Sequence, residues 1–159
     1  MEGTRIMIEE HLHTAHEELK RVDHLVYVSL KYTRTCDIFK SIVERLIASI
    51  DPLITALLEK LERKGKLEEI PEQAGARCAL IKQHIKDEKI TEMLDFYMTL
   101  RRINRAPFER SREFRRHVTM TCSVEGEGIT IDIDTITADY KKTKVYLEHV
   151  ATLLKGKES

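Results

Sequence analysis

From Thr4 to Asp51 the chain runs for 48 residues without a glycine or a proline. A stretch that long with no turn-forming residue has few alternatives to helix. Its apolar or small residues bear this out. Ile8, Leu12, Ala15, Leu19, Val22, Val26, Ser29, Thr33 and Cys36 recur in alternating steps of four and three. That is the narrow seam of a long amphipathic helix, and residues 1–36 are read as such. A second series with the same alternation runs Phe39, Val43, Leu46, Ile50, Leu53, Leu57. The two series meet out of phase at Thr33–Asp37, so a turn or kink is expected in TRTCD. Whether residues 4–51 form one helix or two stays open at this level.

Further elements follow from the same periodicity. Asp51-Pro52 either caps a fresh helix or kinks an existing one. Gly65 reads as a residue just past a helix C-terminus. Ala74, Cys78, Ile81 and Ile85 give one helical stripe, and Ile90, Met93, Tyr97, Leu100 and Ile103 another. Pro107 interrupts that stripe and opens a further turn of helix towards His117. VTMTC (118–122) and GITIDID (128–134) alternate and are rich in β-branched residues, with VEGEG between them, which predicts a hairpin excursion over 118–133. Asp134 is expected to cap a last helix, 134–156, burying Ile136, Tyr140, Thr143, Leu147, Val150 and Leu154. The sum is an all-α fold: one domain over residues 1–159, an antiparallel bundle of four to five main helices with a small β-hairpin before the last.

Several function classes drop out. Cys36, Cys78 and Cys122 are odd in number and dispersed, so they read as reduced, buried thiols of a cytoplasmic protein. The acidic MEGTRIMIEE lacks the apolar core of a signal peptide, and no apolar run is long enough to span a membrane. There is no GxGxxG, GxxxxGK, GxSxG or HExxH, and no cofactor is implied. His11, His13 and His16 cluster near the N-terminus, and Glu10-x-x-His13 matches half of a bundle di-metal unit. No second Glu-x-x-His occurs, and His11 and His13 point apart on a helix. The cluster reads as a solvated face, and no metal site is expected.

One segment stands apart. The chain is neutral, with 27 basic and 27 acidic residues, yet seven of its 13 arginines lie between Arg101 and His117, against Glu109 and Glu113 and no lysine. Arginine without lysine suits planar, bidentate recognition of phosphate. Were the segment helical, Glu113 and His117 would be four apart and in contact, with Arg112 on an adjacent face. A histidine can pass protons to and from the 2′-hydroxyl and leaving oxygen of RNA, and a guanidinium stabilises the charge growing on the phosphoryl oxygens. Arg112, Glu113 and His117 are therefore the candidate catalytic residues, and Arg105, Arg110, Arg115 and Arg116 the candidate nucleic-acid contacts. The competing reading is structural. Arg101, Arg102 and Arg105 would pair with Glu59, Glu62, Glu68 or Glu69, and the long Ile8–Cys36 seam would serve dimerisation or a partner helix. Phe108 and Phe114 read as core residues rather than base-stacking platforms.

Arg112-Glu113-Phe114-Arg115-Arg116-His117 resembles the Arg-x4–6-His motif of the HEPN superfamily, and Arg110 fits the longer spacing. The likeness in motif covers six residues; in architecture it extends over about residues 20–155, with 118–133 as the variable excursion before a final helix. The resemblance implies a helical-bundle homodimer whose paired Arg and His residues face each other in a cleft. Many such proteins are metal-independent endoribonucleases, and others are non-catalytic partners of nucleotidyltransferases. Carried over, His117 is the acid/base, Arg112 the phosphate clamp and Glu113 the residue orienting the histidine. The middle of the family motif is usually apolar, whereas here it is Phe-Arg-Arg.

Overall fold

A computed structural model describes residues 2–156, with side chains from Met7 onward; the outermost residues of the expected 1–159 span lie outside it. Helix α1 spans Glu2–His24 and continues through a π-helical stretch, Leu25–Ser29, into a last turn, Leu30–Tyr32. The chain breaks at residues 33–35 and re-enters helix as α2, Cys36–Arg63. So the region is two helices, parted where the two apolar series fall out of phase. The π-helical stretch adds a residue to the turn. It moves the buried seam from Ser29 and Thr33, as the four-three repeat predicts, to Leu30, while Thr33 is exposed.

Pro52 sits inside α2, so Asp51-Pro52 neither starts a helix nor ends one. Proline removes one donor from the ladder. Asp51 is held elsewhere: its carboxylate accepts the hydroxyl of Tyr97 and its carbonyl accepts from Thr55 Oγ1 at 3.1 Å. Gly65 (φ +76°) closes α2 as expected, with the Lys66 N–H reaching back to the Leu61 carbonyl at 3.0 Å. Helices α3 (Ala74–His84) and α4 (Glu88–Arg105) follow, then strands β1 (Phe108–Ser111), β2 (Thr119–Val124) and β3 (Glu127–Ile131), then α5 (Ile133–Gly156).

The fold is mostly helical, but all-α describes it only approximately. In place of a hairpin there is a three-stranded antiparallel sheet in the order β1-β2-β3. Pro107 explains the extra strand. It forces Ala106 out of helical backbone (ψ 148°), and Phe108–Ser111 then pair with Thr119–Cys122 instead of coiling. The β2–β3 turn, Glu125-Gly126, has positive φ at both residues, which suits a two-residue hairpin. Met120, Cys122 and Ile131 turn the inner face of the sheet onto the helices. Asp132, rather than Asp134, caps α5: its carboxylate accepts from the Thr135 N–H at 2.8 Å and its own N–H donates to Thr135 Oγ1 at 2.9 Å.

Cross-helix pairs fix the packing. His11 meets Glu59 and Glu18 meets Arg45, so α1 and α2 run antiparallel. Lys40 bonds Asn104 while Asp51 bonds Tyr97, which sets α2 against α4; Glu92 bonds Tyr146 and Asp87 bonds His149, which sets α4 against α5. Asp23 bonds Tyr140 across α1 and α5. Four antiparallel helices thus close a ring, with α3 outside it against α2 and α4. Phe39, Leu46, Ile50, Leu53, Ile81, Met93, Ile136 and Val150 are among the fully buried side chains of one continuous core. All three cysteines are buried and unbridged. Among the described residues no helix is long and apolar enough to cross a membrane.

One end of this bundle gathers the break between α1 and α2, the end of α4, the strands and the start of α5. The arginine-rich segment is folded over that end.

Candidate functional site

Residues Arg112–His117 form no helix; they are a series of tight turns between β1 and β2. The expected helical contact of Glu113 with His117 is therefore not formed. The turns are pinned instead to the start of α2. The Glu113 carboxylate accepts the Cys36 N–H at 2.9 Å and Arg110 Nη1 at 3.1 Å. That anion sits where α2 has unpaired N–H groups and a positive dipole end, and Thr35 supplies no side-chain cap. The Phe114 N–H donates to the Arg34 carbonyl at 2.6 Å, and the Arg115 N–H to the Arg112 carbonyl at 3.2 Å. Val118 is buried below them.

Pinning forces the backbone into left-handed conformation at two residues that have side chains, Arg112 (φ +55°) and Phe114 (φ +66°). Each costs on the order of 1 kcal/mol relative to an unstrained residue, and such strain collects at functional sites. Phe114 is 75 % exposed, so it is not the core residue the sequence suggests. Phe108 is half-buried against the core, with Arg110 over its ring at 5.1 Å.

A groove of about 540 Å³ opens beside this turn. Arg112 and His117 both line it, with Arg116 from the same turn and Arg34 from the break between α1 and α2. Asp132 and Asp134, at the start of α5, also face it. Arg112, Arg116 and His117 are exposed and make no side-chain hydrogen bond or ion pair among the described residues. Arg34 is half-buried, and its Nε is fully buried with no acceptor among the described residues. An unpaired buried donor costs about 1–3 kcal/mol. Formal lining charge is three guanidiniums against two carboxylates, and Asp132 is already committed to its cap.

The other sequence candidates divide. Arg110 is bound by Asp37 at 2.9 Å as well as by Glu113, which leaves it a structural clamp; this pairing holds the Asp37 carboxyl below its usual range and raises the guanidinium further still. Arg105 and Arg115 are exposed and lie outside the groove lining. The expected pairing of the α4 arginines with Glu59, Glu62, Glu68 or Glu69 does not occur as drawn. Arg102 approaches Glu125 at 3.8 Å, Arg101 lies over the Tyr97 ring, and Glu59 is taken by His11 at 3.0 Å. Of the histidine cluster, His11 is thus an interhelical contact, while His13 and His16 are exposed. Sequence reasoning missed Arg34. It is a lone arginine at a helix break, and only the fold brings it to Arg112.

Comparison with protein-family models, with curated proteins and with solved structures finds no match for this chain. The groove must be read from its own chemistry.

Proposed function

We propose that the chain is an HEPN-like RNA-binding protein of the cytoplasm, acting as a metal-independent endoribonuclease through Arg112 and His117. The observation that carries this reading is the shared solvent-open groove: a guanidinium and an imidazole, neither engaged by another side chain among the described residues, beside two further arginines. Phosphate is the ligand that three convergent guanidiniums take best.

In the proposed reaction the 2′-oxygen of a ribose attacks the adjacent phosphorus and the bond to the 5′-oxygen breaks. The products are a 2′,3′-cyclic phosphate and a 5′-hydroxyl. His117 either takes the 2′-hydroxyl proton or gives one to the departing 5′-oxygen. Water, or the His117 of a second copy in the dimer that the family resemblance implies, handles the other proton. Arg112 stabilises the charge on the non-bridging oxygens. RNA carries its own nucleophile, so these side chains need no metal to complete the cycle. Glu113 acts at one remove, as the anchor that holds the turn in shape.

A second reading has its own support. Tyr32, 83 % exposed, stands with the exposed Tyr27 and Val28 at the end of α1, and such a patch suits a partner protein. In that case the chain is a non-catalytic interaction module, for example the partner of a nucleotidyltransferase. Incubation with RNA in EDTA separates the two. Cleavage that disappears in His117→Ala, while RNA retention on a column persists, supports the nuclease. Intact RNA with a folded wild-type protein supports the module.

A further inference from the structure

We infer that Arg34 and Phe114 form a subsite for one unpaired nucleotide, with the Arg34 guanidinium on its phosphate and the Phe114 ring stacked on its base. This rests on the reading of the groove as an RNA site and adds what part of the RNA it takes.

Three observations converge. Arg34 lines the groove, and its Nε, buried behind, has no acceptor among the described residues. A phosphate at the groove would take the outer nitrogens of this guanidinium, in the fork geometry arginine offers. The other buried Nε without an acceptor, that of Arg77, belongs to a guanidinium that already donates to Thr55 at 3.1 Å. The second observation is Phe114. A phenylalanine three-quarters exposed and held at positive φ is doubly unfavourable, since glycine would carry that backbone without strain. The third is their linkage. The Phe114 N–H is bonded to the Arg34 carbonyl, and Phe114, though outside the groove lining itself, lies in the chain between Arg112 and Arg116, which both line it. A groove-lining charge and an exposed aromatic ring beside the groove are therefore tied by one backbone hydrogen bond. Groups set this way suit a single strand, whose bases have free faces; a duplex presents its bases already stacked.

The test uses a short single strand of 2′-O-methyl RNA carrying 2-aminopurine, and the same strand annealed to its complement. Binding to wild type should favour the single strand and quench the 2-aminopurine. Phe114→Gly, which suits the backbone at that position, should keep or raise the melting temperature. It should weaken single-strand binding about tenfold or more, abolish the quench and leave duplex binding unchanged. Arg34→Lys keeps the charge and loses the planar fork, and should weaken single-strand binding severalfold. The subsite is overturned, with the groove reading intact, if both variants bind the single strand within about twofold of wild type while Arg112→Gln does not. Equal loss of single-strand and duplex binding in Phe114→Gly also overturns it. If wild type retains neither form, the groove reading fails and the subsite with it.

Discussion

Along the helical body, charged side chains reach across to neighbouring helices: Glu18 to Arg45, His11 to Glu59, Asp87 to His149. In the turn from Arg112 to His117, Arg112, Arg116 and His117 reach no such partner among the described residues. The backbone differs in the same sense. No residue within the described helices has positive φ, whereas the turn holds two side-chain-bearing residues there. Within the turn the contrast repeats at smaller scale. Arg110 is clamped between two carboxylates and its neighbour Arg112 is bound by none among the described residues. The lesson is that arginine density does not itself mark a site. Five of the seven arginines from Arg101 to Arg116 are paired, stacked or outside the groove, and the two that line it have no partner among the described residues.

The contrast can be broken from the body's side. Phe39→Ala opens a cavity in a fully buried site and should cost about 3–5 kcal/mol in chemical denaturation. Glu113→Ala removes the anion from the start of α2 and releases Arg110. It should cost about 1–2 kcal/mol, and RNA cleavage should fall although Glu113 lies outside the groove lining. Asp139 sharpens the comparison through pH. Burial pushes its carboxyl up to about 6, with Lys142 pulling the other way. The folded chain therefore keeps this proton over a range where the unfolded chain has released it, and stability should fall as pH rises from about 4 to 6. Asp139→Asn should flatten that slope and raise stability at neutral pH by on the order of 1 kcal/mol. The smallest effect belongs to the turn. Arg112→Gln should leave stability within about 0.5 kcal/mol of wild type. It should also lower the steepness of RNA binding against salt by about one phosphate contact. A large loss of stability there would mean the side chain is structural after all.

The helical stripes were legible because burial repeats with the period of the helix. Ile136, Tyr140, Thr143, Leu147, Val150 and Leu154, expected on one face of the last helix, are all buried. The break near Thr33 was legible as a phase error between two such stripes. Strand β1 was not, because F-E-R-S is an edge strand with three exposed residues and no alternation to read. Nor was the turn. Positive φ falls on Arg112 and Phe114, where no glycine or asparagine announces it. The Arg-x4-His spacing did single out two groups that the fold brings to one groove, though the helical geometry used to argue for them is absent. Arg34 was out of reach for another reason. The bonds that carry the turn to it, such as Glu113 to Cys36, join residues 77 apart in sequence, and no local pattern encodes them.

The most direct measurement incubates the wild-type protein in EDTA with an RNA strand and with its 2′-O-methyl counterpart, each also offered to His117→Ala. If Arg112 and His117 act together on a phosphate flanked by a ribose hydroxyl, wild type cuts only the RNA, leaves 2′,3′-cyclic phosphate ends, and binds the methylated strand without cutting it. His117→Ala then binds both and cuts neither. Cleavage that persists without the imidazole, or RNA that stays whole in the presence of the folded wild-type protein, would contradict the account.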